Sequence, residues 1–288
     1  MCVLLPGEIT MKLAVFTAII TASSFVLAPF VLSETYQTEI NASYGESESD
    51  SYPSANYSAS LVGTQYFSPV DMTRGPLAEA AFLQKASSFS LLLANNDYES
   101  YSQNSDSYFR GASISYFIPN SLFFIGAAIA ESKMVGTYYY HGDYSYDEKI
   151  PTDWDTQVHA TLGIAPIDGL QVWSTFSDDV SVSDYWNLNA KYVKPLAGER
   201  ALSLVAHYTD DSVLDIRSLT VDADYYFTRQ LSLGLGVAHL IYGDSDADND
   251  YSSRIRARQF INEHASIELA YFSADYLNGW QLGATLRF

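Results

Sequence analysis

Within residues 277–288 every second position from Trp280 onward is apolar. Trp280, Leu282, Ala284, Leu286 and Phe288 share one parity, and Gln281, Gly283, Thr285 and Arg287 the other. A period of two is the mark of a β-strand with one face in an apolar medium and the other in a polar one. At ~3.3 Å per residue and ~45° of tilt such a run rises ~28 Å, close to the height of a bilayer's apolar layer. The same alternation recurs towards the N-terminus. It predicts fourteen strands, at about 35–44, 57–68, 85–95, 107–118, 121–131, 154–166, 169–178, 185–194, 200–210, 216–227, 230–242, 251–261, 264–274 and 277–288. Twelve or sixteen also fit, because the first three are the weakest.

The breaks between strands alternate in kind. Short ones fall at 119–120, 166–169, 195–199, 228–229 and 262–263. Longer, more acidic ones fall at 95–106, 131–153, 178–184, 210–215 and 243–250. Short turns on one side and long loops on the other are what an outer-membrane barrel shows. The fold class expected is therefore all-β, a transmembrane antiparallel up-and-down β-barrel. Its even strand number puts both termini on the periplasmic side. A soluble sandwich or propeller would share the alternation, but no residue-identity repeat supports a propeller.

Parity also assigns an inside. Arg254, Arg256 and Arg258 share a face opposite Ile255, Ala257 and Ile261. An arginine at mid-depth on the lipid side costs ~2–4 kcal/mol, so these three point into the lumen. By the same argument Asp222 and Asp224, Asn187, Asn189 and Lys191, and Glu268 are luminal, as is Arg287 near the seam. Two arrangements fit: a charge-lined path with arginines and acids facing each other, or a plugged interior in which Arg256 or Arg258 pairs with Glu268.

Composition then narrows the class. Tyr (23) and Phe (15) dominate the aromatics, while mean hydropathy is only −0.04. After the N-terminal region there is no apolar run of the ~20 residues that a spanning helix needs. The net charge of −19 excludes a nucleic-acid partner. Residues 1–33 read as an N-terminal extension and a cleaved signal peptide. A second start stands at Met11-Lys12, an apolar run covers 13–32, and Val31-Leu32-Ser33 precedes Glu34. The alternative is an uncleaved anchor. Cleavage removes the one cysteine, Cys2, and leaves 34–288 as a thiol-free barrel.

Phe288, with Leu286 and Trp280 on its parity, resembles the signal read by the outer-membrane assembly machinery. The segment Gly75-Pro76-Leu77-Ala78-Glu79-Ala80-Ala81-Phe82-Leu83, with the signal peptide and the barrel pattern, resembles the general bacterial porins of marine gammaproteobacteria. That resemblance implies passive transport of small hydrophilic solutes without a cofactor. The remaining partners expected are outer-membrane lipid and lipopolysaccharide, around a monomer or homo-oligomer. The other reading is a closed structural or adhesive barrel that binds partners through acidic, Tyr-rich loops.

Four features remain. Residues 69–85 form a structured turn or, given the spacing of Leu77, Ala80, Ala81 and Phe82, a short helix at the periplasmic mouth or within the lumen. The Tyr-rich stretch 131–153 continues its strands above the membrane or folds inward as a constriction. Asp244, Asp246 and Asp248 resemble half of a calcium loop but lack its glycine and terminal glutamate, so an acidic solvated loop is expected. His159, His207, His239 and His264 have no nucleophile motif beside them, and no catalysis is expected.

Overall fold

The computed structural model describes residues 34–49, 53–101, 103–140, 146–149, 153–178, 185–213, 215–243 and 249–288. The proposed signal peptide and the aspartates Asp244, Asp246 and Asp248 lie outside them. The strands are β1 (Thr35–Ser49), β2 (Ser54–Asp71), β3 (Ser88–Ser100), β4 (Gln103–Phe117), β5 (Phe123–Tyr140), β6 (Tyr146–Lys149), β7 (Asp155–Ile167), β8 (Leu170–Ser177), β9 (Tyr185–Pro195), β10 (Ala201–Asp211), β11 (Ile216–Tyr226), β12 (Leu231–Tyr242), β13 (Asp250–Asn262), β14 (Ala265–Ala274) and β15 (Leu277–Arg287).

Fourteen of these close into an antiparallel barrel, each paired with its neighbours in sequence. β4 pairs with β5, β5 with β7, and β15 with β1. The short β6 pairs along Thr137–Tyr140 of β5 and is an added hairpin arm rather than a stave. Closure gives each of the fourteen staves a partner on both sides, as the interior of a membrane requires. The seam runs from Glu39↔Arg287 to Ser49↔Leu277. A bulge at Gln37 lets two amides, those of Gln37 (2.6 Å) and Thr38 (3.0 Å), donate to the Phe288 carbonyl. The end where β1 begins and β15 finishes is called the terminal end here, and the other the distal end.

Burial is inverted relative to a soluble protein. Leu235, Leu162, Leu93 and Ile255 are exposed on the outer face, Leu235 by 66%. A continuous apolar outer band of this kind is lipid-facing surface. The buried apolar cluster lies instead at the terminal end, where Tyr36, Tyr66, Val70 and Phe260 meet Met72, Leu77 and Ala80.

The strand order matches expectation, but several limits differ. β1, β2 and β5 run further distally than their apolar patterns, and the expected break at 95–106 is mostly strand. Asn95, Asn96 and Asp97 pair with Tyr108, Ser107 and Asp106. Distal to the apolar band the backbone ladder continues while the outward side chains turn polar, so hydropathy ends before the strand does. Tyr138–Tyr140 likewise continue β5 as strand. At the other end β3 starts at Ser88 rather than at 85, because the amides of Lys85 and Ala86 still close the preceding helical turn onto Phe82 and Ala81.

Candidate functional site

The site is the inner face. On β13 Arg254, Arg256 and Arg258 point inward between the outward, exposed Ile255 and Ala257. β12 separates β13 from β11, and the register stacks Asp222, Gly236 and Arg254 in one row, Asp224, Gly234 and Arg256 in the next. Non-adjacent strands stand ~9–10 Å apart. An arginine and an aspartate meet over that gap only if the middle position carries no side chain. A Cβ on Gly234 would lie 2.8 Å from Arg256 Cγ and closer still to Asp224 Oδ1, and one on Gly236 would lie 3.2 Å from Asp222 Cγ. Across these glycines Arg254 Nη2 donates to Asp222 Oδ1 at 2.6 Å. Arg256 forks onto Asp224, with Nε at 2.7 Å from Oδ1 and Nη2 on Oδ2. Arg258 pairs with its direct neighbour Glu268 at 2.5 Å.

The pairing partners differ from one arginine to the next. Arg258 takes Glu268, while Arg256 takes Asp224 instead. The charges form adjacent, compensated pairs along one wall rather than opposing clusters. Asp222 and Asp224 are buried beneath their arginines. Gly234 and Gly236 were missed in the sequence, although Gly-Leu-Gly on the luminal parity of a strand was the available signal.

Not every predicted luminal residue meets the bore. Asn187 is buried and serves the wall. Its amide donates to the Thr175 carbonyl at 2.6 Å and accepts from the Thr175 amide at 3.0 Å, extending β8–β9 pairing past Trp173↔Asn189. Asn189 donates to Asn187 and contacts His207. Arg287 is only 4% exposed. It pairs with Glu39 at 2.7 Å, lies over the rings of Tyr36 and Phe260, and donates to the Leu77 carbonyl at 2.8 Å.

That last bond belongs to a structure crossing the bore. Residues 72–87 do not form a plain turn, correcting that expectation. A 3-10 turn (Leu77–Glu79) leads into the one-turn helix α1 (Ala80–Leu83). Gly75 supplies the left-handed φ of 68° that starts the inward course. Gln84 clips its base, donating to the Asp71 carbonyl (2.6 Å) and accepting from the Asp71 amide (2.9 Å). Glu79 then reaches Lys191 on β9 (2.6 Å) and the Tyr226 hydroxyl on β11 (2.8 Å). β11 stands seven strands from β3 in either direction around the barrel. A segment tied to β3 whose side chain bonds β11 must span the cross-section. Further ties come from Arg229 to the Gly75 carbonyl, Gln171 to the Phe82 carbonyl, and Lys191 over the Phe82 ring.

The barrel, its polar inner face and this segment coincide with one known sequence pattern, whose family model, described as "Putative general bacterial porin", matches residues 10–288. The chain belongs to this porin family. No curated protein matches it in sequence. Among solved structures it is similar to the outer membrane protein Omp33 of Acinetobacter baumannii, with 22% identity and a TM-score of 0.62 over 88% of this chain and 99% of that one. Looser likenesses are the COG4313 outer membrane channel of Pseudomonas putida F1 (14%, TM-score 0.43, 91% and 100% covered) and the KdgM porin in complex with disordered oligogalacturonate (10%, TM-score 0.40, 87% and 99% covered).

The porin's C-terminal residues follow their predicted parity. Trp280 is outward and packs on Tyr44 at 5.7 Å. Leu286 pairs beside Ile40, and Phe288 is bonded through its backbone to Thr38. His239 faces outward near the distal end and stacks on Tyr251 at 4.3 Å.

Proposed function

We propose that this porin gives passive passage to small hydrophilic solutes and ions through its charge-lined bore. In this reading the terminal end is periplasmic, residues 1–33 are the export signal, and 34–288 form the mature barrel. The observation that carries it is the inner face. The five lysines and arginines that point inward on the described barrel strands, Lys191, Arg254, Arg256, Arg258 and Arg287, each pair with an acid inside the barrel. Paired charges on several strands suit a hydrated interior far better than a dry one. Because those pairs compensate, the wall itself is close to neutral. The acidic distal mouth then sets a weak cation preference. Segment 72–87 limits the width of the terminal mouth.

A second reading is favoured by one observation. The cluster of Tyr36, Val70, Met72, Leu77, Ala80 and Phe260 is packed as a core, as in a barrel closed at that end that works through its external loops. Single-channel recording of the chain refolded from Glu34 into planar bilayers separates the two. Stable conductance steps in potassium chloride support the porin reading. A folded, heat-modifiable barrel without steps overturns it in favour of the closed one.

A further inference from the structure

The inner face is not uniform. The five inward cations and their acids lie on β9, β11, β13, β14, β15, β1 and segment 72–87. On β2, β3, β4 and β5, by contrast, the register puts no charged side chain inward among the described residues. That arc is partly apolar. Leu92, Gly111 and Ala130 form one cross-strand row, and Ala94, Phe109 and Ser132 the next. Leu92 is 37% exposed, Phe109 42% and Met134 45%, so these side chains face open space rather than a packed neighbour.

The apolar arc and the charged row face each other. β4, which carries Phe109, stands seven strands from β12 in either direction, and β12 holds the glycines bridged by the ion pairs. Depth corresponds as well. Phe109 and Gly111 stand eight and six residues before Phe117, the terminal-end limit of β4. Arg254 and Arg256 stand eight and six before Asn262, that of β13. Of the inward-pointing paired guanidiniums, Arg254 has the most exposed side chain (39%) and spends one Nη on Asp222. A partly exposed guanidinium with one such bond keeps donor capacity for a solute, and its preferred partner is a carboxylate.

We infer that the bore is amphipathic and selects small carboxylates carrying an apolar group, with Arg254 receiving the carboxylate and Leu92, Phe109 and Met134 the apolar part. A purely aqueous pore ranks anions by size, so the larger of two carboxylates passes more slowly. An amphipathic bore reverses that order, because part of the solute's apolar surface leaves water on entry. This inference rests on the porin reading, and the test separates the two.

The experiment is a bi-ionic reversal-potential measurement on the refolded mature chain at pH 8. Potassium benzoate and potassium acetate are compared against potassium chloride, with a protein-free bilayer as the leak control. A benzoate-to-acetate permeability ratio above one is expected. It should fall at least about threefold in a Phe109→Ser, Met134→Ser variant, the scale of one lost aromatic contact. Arg254→Ser should lower both carboxylates relative to chloride. A wild-type ratio below one overturns the inference without any variant, as does a ratio above one that both Phe109→Ser, Met134→Ser and Leu92→Ser leave unchanged in folded, conducting barrels. The porin reading survives either result, since chloride current persists. Absence of current in potassium chloride overturns that reading and this inference with it.

Discussion

Arg256 grips Asp224 across a strand to which neither residue belongs. The fork passes over Gly234, and Arg254 repeats the reach to Asp222 over Gly236. Three consecutive strands are thereby tied by side chains in addition to their backbone ladder.

The first prediction concerns that middle position. Gly234→Val should push Asp224 and Arg256 apart and leave both charged groups partly buried without their partner. Severing a buried pair costs ~3–5 kcal/mol, and partial hydration of the bore lowers this to roughly 2–4 kcal/mol. Urea unfolding followed by heat-modifiable gel mobility should show that loss, whereas Gly63→Val, on the outer face with open space around it, should change little.

Ion selectivity should respond asymmetrically. An Arg254, Arg256, Arg258→Ser variant leaves Asp222, Asp224 and Glu268 uncompensated, so its reversal potential in a potassium chloride gradient should shift towards potassium. Asp222→Asn with Asp224→Asn should shift it towards chloride. Identical potentials in all three proteins would remove these residues from the permeation path.

The inward segment should act as an adjustable mouth. Glu79→Gln removes the charge that holds Lys191 and weakens the bond from Tyr226. A hydrogen bond to a charged group is worth ~1.5–3 kcal/mol, enough to shift an open-to-restricted equilibrium about tenfold or more. Single-channel records should show longer or larger open steps than the wild type. Records indistinguishable from it would mean that Glu79 does not set the mouth.

A pH effect should appear at the distal extension, beyond the apolar band. Burial holds the Asp106 carboxyl above its ordinary pKa, and Asp97 stands directly opposite on β3. A raised folded pKa in an acid means that the ionised form opposes folding. The penalty is present above the folded pKa and is relieved as pH falls through it. Asp106→Asn should therefore raise the melting temperature at pH 7, and the gain should fade on acidification through the carboxylate range. A gain that persists at pH 3 would trace to something other than this charge.

Much of the barrel was legible because lipid enforces alternation. Where each outward residue must be apolar, as from Trp280 to Phe288, strand, face and depth can all be read from parity. The distal halves of β1 to β5 carry no such constraint, so Asn95–Asp97 looked like loop although they lie in the ladder. The arginines' inward direction followed from cost alone, but their partners did not. Choosing Asp224 over Glu268 for Arg256 depends on a gap at Gly234, which emerges only once three strands are in register. The inward course of Leu77–Leu83 was visible as helical spacing, yet what it packs against, from Tyr36 to Tyr226, is far away in sequence.

Arg287 lies one residue from the end of the chain. It holds Glu39 on the first strand and the Leu77 carbonyl of the inward segment at once. The same guanidinium that completes the cylinder also completes its floor. Lateral zipping and narrowing of the mouth are therefore one cooperative step, and a chain still waiting for its last strand is also still unfloored.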